Sequence, residues 1–339
     1  MQKRALLQTK DRALTHISVL DQDRRRERAA LEVEASAGAE GVEAAGEAVS
    51  ALKEIGEAVK METAMKLAVA SGKGGTGKTT VAVSLALSAR GPVQLLDCDV
   101  EEPNAHIFLR PTIQERRSCT LTVPGVMEDA CTYCGKCRDL CRFNAITVFG
   151  KNIMVFPELC HSCRGCFLVC PEGALAEEKR EVGKVEMGRA GEIGFVHGIL
   201  RIGEAMAPPL INAVKAEAAP RGLIVLDAPP GTSCPMIATI KDADYTLLVT
   251  EPTPFGLHDL KLAVAVIRRL GRPFGVILNR ADMGDDKVET WCREEGVTLH
   301  MKIPFDRRIA EGYARGEPLV ESRPELGRAF DELVEDVRR

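Results

Sequence analysis

The chain has 339 residues, 45% of them hydrophobic and 28% charged, enough for two or three domains of about 150 residues each. A net charge of −4 excludes a broad cationic surface for nucleic acid or anionic lipid. No run of about 18 apolar residues offers a membrane-spanning helix, and the opening MQKRALLQTKDRALTH lacks the apolar core of a secretion signal.

Residues 1–64 differ in composition from the rest. An Arg-rich start (Arg24, Arg25, Arg26, Arg28) gives way to an acidic Ala/Glu/Gly-rich stretch from Ala29 to Met61. Val49, Leu52, Ile55 and Val59 recur at helical spacing, which predicts a short amphipathic helix in a helix-prone or partly disordered extension. From Lys66 the pattern changes. The apolar run Leu67–Ala70 leads into SGKGGTGKTT, the following VAVSLALSA reads as a buried helix, and Val93–Leu96 ends in Asp97-Cys98-Asp99. Strand, glycine loop, helix and strand in that order open a parallel α/β sheet.

The pattern breaks near Ile107 and resumes near Ile199. Leu223–Leu226, ending in Asp227, then Thr246–Val249 and Val276–Leu278 are further apolar runs, with helical stretches such as Leu257–Leu270 between them. Leu326, Phe330, Leu333 and Val337 give the tail Arg323–Arg339 one apolar helix face. The expected fold is therefore α/β, a mostly parallel sheet flanked by helices. Residues 65–106 and 196–339 form it, and residues 107–195 interrupt it as a small α+β insertion.

Gly72-Lys73-Gly74-Gly75-Thr76-Gly77-Lys78-Thr79 spells G-x-x-x-x-G-K-S/T between a strand and a helix, the context this phosphate-binding loop requires. The glycines let backbone N–H groups turn toward phosphate oxygens, and the next helix adds its positive end. With Thr80, these residues are the predicted nucleotide cradle. Lys78 is expected on the β- and γ-phosphates and Thr79 on Mg²⁺.

Cysteine is the compositional outlier, with 12 residues. Eight lie in two runs, Cys131-x2-Cys134-x2-Cys137-x3-Cys141 and Cys160-x2-Cys163-x2-Cys166-x3-Cys170-Pro171, offset by a constant 29 residues. The offset marks an internal duplication. Ile146, Val148, Ile153 and Val155 around Gly150-Lys151-Asn152 predict a β-hairpin between the runs. A disulfide scaffold belongs to small secreted domains, so a metal site in a reducing compartment is expected, placing the chain in the cytoplasm. Zinc is the competing metal, although tetrahedral cysteine sites use two C-x2-C pairs rather than a triple with a lone fourth.

The second lysine of the loop, Lys73, gives the pattern KGGTGKTT, which resembles the deviant Walker A of the MinD/ParA/Mrp group of P-loop ATPases. The resemblance implies ATP, Mg²⁺, Mg-dependent hydrolysis, and a homodimer or a heterodimer with a related ATPase. It implies that Lys73 crosses the interface to the partner's phosphates. Asp99 resembles the aspartate that orients the attacking water, so Lys73, Lys78 and Asp99 are the candidate catalytic residues. Asp97 resembles a carboxylate on the magnesium side, as does Asp227 in LIVLDAPPGT. Thr250–Thr253 and Gly275–Asn279 also look like family segments, with Asn279 on adenine and Ile303–Asp306 over the base.

The insertion resembles a bacterial ferredoxin with two 4Fe–4S clusters, in which the fourth cysteine of each run serves the other cluster. Carried over, one cluster takes Cys131, Cys134, Cys137 and Cys170, and the other takes Cys141, Cys160, Cys163 and Cys166. Arg142 stands where a proline usually follows. Cys98 reads as a packed thiol, Cys119 and Cys292 carry no expectation, and His161 reads as a loop residue. Cys234, just past Asp227–Thr232, is a candidate for a bridging metal site.

The combined expectation is an ATPase coupling nucleotide state to electron transfer or to iron–sulfur or metallocluster assembly, with a redox or cluster-acceptor partner. The alternative is a spatial organiser like MinD or ParA with an accessory ferredoxin module. The mixed-charge tail FDELVEDVRR and the lack of a basic stripe argue against membrane or nucleic acid as partners.

Overall fold

The computed structural model describes residues 64–338. The amphipathic helix predicted around Val49–Val59 lies outside the described residues. The α/β part opens with β1 (Ala64–Ala70), α1 (Lys78–Ser88), β2 (Val93–Asp97) and α2 (Ala105–Leu109). A long strand, β3 (Thr112–Val126), leads out to α3 (Lys136–Leu140), the hairpin β4 (Ile146–Phe149) and β5 (Asn152–Val155), and α4 (Gly165–Val169). A second long strand, β6 (Leu175–Ala190), returns to β7 (Ile193–Leu200). Then follow α5 (Pro208–Ala216), β8 (Gly222–Asp227), α6 (Cys234–Ile240), β9 (Tyr245–Thr250), α7 (Pro254–Leu270), β10 (Phe274–Asn279), α8 (Lys287–Glu294) and β11 (Leu299–Ile303). Helices α9 (Arg307–Ala314), α10 (Leu319–Ser322) and α11 (Glu325–Arg338) close the chain.

The main sheet runs β11-β10-β9-β1-β8-β2-β7-β6-β3. From β11 to β7 every pairing is parallel, while β6 and β3 add on antiparallel. Parallel strands need helical crossovers, which cover both faces. Successive strand residues therefore enter opposite cores. Ala68, Leu96, Leu226 and Leu248 pack with Leu210, Met236 and Leu260 of α5, α6 and α7. Leu67, Leu95, Val225 and Leu247 pack with Leu85, Phe108, Phe330 and Leu333 of α1, α2 and α11.

The cysteine runs occupy the far end of the β3–β6 ribbon. Residues 183–189 of β6 pair with both β3 and β7, but residues 175–181 pair with β3 alone. Because Gly183 lies opposite Leu200, the carboxyl end of β7, the ribbon projects beyond the carboxyl edge of the parallel strands, with buried Arg180 near its base paired to Glu204 in the segment after β7. That is the edge from which the glycine loop also emerges. Seven strand residues span roughly 23 Å.

The duplication is visible in the backbone. Tyr133 and Ser162, Gly135 and Arg164, and Asn144 and Gly173 are pairs at the 29-residue offset, and all six have positive φ. Equivalent backbone N–H groups of Ala145 and Ala174 donate to the sulfurs of Cys141 and Cys170, at 3.4 and 3.3 Å. The predicted hairpin forms as β4 and β5, turning through Gly150 at φ 55°.

Candidate functional site: the glycine loop and two cysteine quartets

The glycine loop bridges β1 and α1, and its backbone requires its sequence. Gly75 and Gly77 have φ of 77° and 92°, in the left-handed region. A Cβ on Gly77 would come within 2.5 Å of Asn279 Nδ2, and one on Gly72 within 2.3 Å of the Asp259 carbonyl oxygen. The opposite side of the loop is open, since a Cβ on Gly74 or Gly75 would meet nothing within 4 Å. A cavity of about 400 Å³ adjoins the loop, lined by Gly75, Gly77, Lys78, Thr79 and Thr80 on one side and Asn279, Pro304, Phe305 and Tyr313 on the other. This volume suits a nucleotide.

Inside the loop the charges are paired. Lys78 Nζ lies 2.7 Å from Asp99 Oδ2, and both side chains are buried. Burial opposes the ammonium charge, but Asp227 and Asp99 outweigh it and hold the Lys78 pKa above its usual value. Asp97 is wholly buried, and its carboxylate accepts the backbone N–H groups of Asp99 at 3.1 Å and of Asn104 and Ala105 at 3.0 Å. Asp97, expected on the magnesium side, here ties down the loop between β2 and α2. Burial, with Asp227 next in effect, still pushes its carboxyl well above the usual range.

Asp227 is also wholly buried, and neither carboxylate oxygen has a partner within hydrogen-bond geometry. Burial raises its pKa to about 6, although Lys78 and the nearby Thr79 hydroxyl favour the charged form. An unpaired buried carboxylate beside the Thr79 hydroxyl is a donor set suited to a hard divalent cation. Asn279, expected on adenine, donates to the Thr76 carbonyl at 2.8 Å and accepts from Arg280 N–H at 3.0 Å, which braces the loop.

Lys73 does not point into the cavity of its own chain but pairs with Glu251 at 3.3 Å. Glu251 is buried and also accepts from Arg280 Nη1 at 2.6 Å. The sequence singled out Thr250–Thr253 as a segment but gave Glu251 no role; an acidic residue just beyond a buried strand was the available signal.

On the ribbon, Cys131, Cys134, Cys137 and Cys170 line one cavity, and Cys141, Cys160, Cys163 and Cys166 line another. Each cavity thus carries three cysteines of one run and the fourth cysteine of the other. All cysteines of the described residues are free thiols. Among the described residues, no group of three His, Cys, Asp or Glu converges on a single-ion position. Burial pushes the Cys166 thiol up to about 11 and raises that of Cys137, so loading metal must release protons. Phe143 stacks on His161 at 3.7 Å beside the second quartet. Cys234 is exposed at the first residue of α6, away from both quartets in the chain.

A strand–glycine loop–helix on a mostly parallel sheet defines a P-loop nucleotide-binding protein. A family model described as the CobQ/CobB/MinD/ParA nucleotide binding domain matches residues 67–319, and the chain belongs to that family. It is 30% identical over 280 residues to an uncharacterized protein of Methanocaldococcus jannaschii, covering 81% of this chain and 96% of that protein. An iron–sulfur cluster carrier protein of Aquifex aeolicus is 33% identical over 124 residues, 32% of this chain and 34% of that protein. The solved septum site-determining protein MinD of Pyrococcus horikoshii, complexed with Mg-ADP, shares 22% identity, with 81% of this chain and 96% of that chain covered and a TM-score of 0.49. Among the described residues, no helix is long and apolar enough to cross a membrane.

Proposed function

We propose that the chain is a Mg-ATP-hydrolysing switch that carries two 4Fe–4S clusters and couples nucleotide state to electron transfer in the cytoplasm. The observation that supports it best is the joint presence of a phosphate loop and two interleaved thiol quartets on a ribbon continuous with the nucleotide-binding sheet. Thiolates set apart around a cavity match a cube of metal and sulfide better than a point ion such as zinc. When bound, such clusters supply one-electron redox chemistry.

In this reading the N–H groups of Gly72–Gly77 and the start of α1 hold the phosphates. Lys78 leaves Asp99 for the β- and γ-phosphates. Thr79 and Asp227, with Asp97 behind them, face Mg²⁺. Asp99, released, orients the attacking water. Lys73 leaves Glu251 to reach the nucleotide of a second subunit, either a copy of this chain or a related ATPase.

Delivery of a metallocluster to an acceptor is the second reading, favoured by the similarity to a protein named as an iron–sulfur cluster carrier. Anaerobic purification with iron and sulfide analysis tests the main reading. About eight irons per chain are expected, with an electron paramagnetic resonance spectrum that changes on adding Mg-ATP. Iron-free protein isolated under argon refutes it, and loss of iron to an apo-acceptor favours delivery.

A further inference from the structure

A single lateral row of ionisable residues crosses the sheet from the nucleotide site to the ribbon. Asp227 of β8 is in register with Asp97 of β2, Asp97 with His197 of β7, His197 with Glu186 of β6, and Glu186 with Arg116 of β3. Register partners project to the same face, here the face that packs on α1 and α2. The row is buried from Asp227 to Glu186 and surfaces only at Arg116, whose side chain is 68% exposed.

The contacts along this face are continuous. Lys78 bonds the Asp99 carboxylate, the Asp99 N–H bonds Asp97, and Asp97 holds the N–H of Ala105 at the start of α2. The next residue, His106, sets its ring edge against His197, with centroids 5.3 Å apart at 65°. His197 Nε2 meets Glu186 Oε2 at 3.1 Å, and Arg116 Nε meets Glu186 Oε1 at 2.8 Å. The Nδ1 atoms of His106 and His197 are buried without a partner, so this face has hydrogen-bonding capacity left over for a second arrangement.

Beyond Arg116, the exposed end of this chain of contacts, the ribbon is irregular. The β3–β6 register shifts between Cys119 and Thr120, where the ribbon leaves the support of β7. A bulge bends a ladder and weakens its pairing locally. Gly183, opposite Cys119, has no room for a side chain, since a Cβ there would lie 2.5 Å from the Ile199 carbonyl oxygen.

We propose that the His106–His197–Glu186–Arg116 chain is the element through which nucleotide occupancy sets the posture of the cysteine-bearing ribbon. The proposal rests on the nucleotide-binding reading above and adds the route of its regulation. Phosphate takes Lys78 from Asp99, and the loop held by Asp97 relaxes with α2. His106 then shifts against His197, and the Glu186 clamp on β6 and β3 moves the ribbon about its bulge. From Lys78 to Arg116 the links are contacts or chain neighbours, and Arg116 lies three residues along β3 from Cys119 at the bulge, so coupling requires no long-range field.

The test is hydrogen exchange on the full chain, with and without a Mg-bound non-hydrolysable ATP analogue, alongside a direct titration of analogue affinity. In the unaltered chain, exchange in residues 120–126 and 175–181 is expected to change at least threefold on binding. In Glu186→Gln, nearly the same in shape, analogue affinity is expected to stay within about twofold while the ribbon response disappears. Arg116→Ala, at the exposed end of the row, serves as a second variant that folding cannot compromise in the same way, and its response is expected to fall. Equal responses in the unaltered chain and both variants, or binding with no response in the unaltered chain, overturn this proposal alone. No analogue binding by the unaltered chain overturns the nucleotide-binding reading and this proposal together.

Discussion

Replacing Asp227 by Asn is expected to make the nucleotide-free chain more stable while disabling it. The carboxylate is wholly buried without a hydrogen-bond partner, and burial raises its pKa from the usual 3.8 to about 6. A raised folded-state pKa means the native state binds the proton more tightly than the unfolded state does. Stability from this group is therefore greatest at low pH and falls as pH rises between about 4 and 6. Above pH 7 the buried charge costs about 3 kcal/mol, and at pH 5 about half of that. Asparagine has no charge to desolvate, so Asp227→Asn is expected to raise the melting temperature of the nucleotide-free chain at pH 7.5 by roughly 5–10 °C, and by about half as much at pH 5. The added stabilisation that Mg-ATP gives the unaltered chain is expected to vanish. Thermal scans at the two pH values, with and without Mg-ATP, read all of this. A lower melting temperature at pH 7.5, or a gain that does not shrink at pH 5, would refute the assignment of Asp227 as an unpaired buried charge awaiting a cation.

Three further outcomes follow from named contacts. Glu251→Gln frees Lys73 from a partly exposed pair worth about 0.8 kcal/mol, so ATP-dependent self-association is expected at roughly fourfold lower protein concentration in sedimentation velocity runs. An unchanged or higher midpoint would count against Glu251 restraining Lys73. Cys170→Ser is expected to remove about four irons, and adding Cys134→Ser to it should remove no more, because both belong to one quartet. A double variant that loses all iron would break the crossed assignment. Lys215 donates to the carbonyls of Ala238 and Thr239 at 2.5 and 2.9 Å and pairs with Asp242 near the end of α6. Lys215→Met is expected to cost about 1–3 kcal/mol in denaturant unfolding.

Much of the site could be read directly from the chain. The glycine loop announces itself because its backbone conformation needs glycine at Gly75 and Gly77, and the cysteine runs because their spacing repeats at 29 residues. The strands Val93–Leu96 and Leu223–Leu226 were legible because parallel strands buried on both faces are apolar throughout. The ribbon was not. β3 runs TIQERRSCTLTVPGV, with Glu115, Arg116 and Arg117 charged and its first half mostly exposed, and nothing local distinguishes it from a polar linker. Its pairing with β6 spans a whole inserted module, and pairing at that distance leaves no short-range mark.

The sequence alone determined that a parallel α/β sheet carries a glycine loop at the mouth of its first helix, and it marked the candidates for phosphate and for the thiol sets. Those properties depend on residue type and short spacing, and both are written along the chain. Only the tertiary structure decided the company each charge keeps. Lys73 beside Glu251, Asp97 on the N–H groups of Asn104 and Ala105, and Arg116, Glu186 and His197 in one row join segments as many as 178 residues apart. Strand order and register set those meetings, and they follow from how the whole sheet buries its two apolar faces.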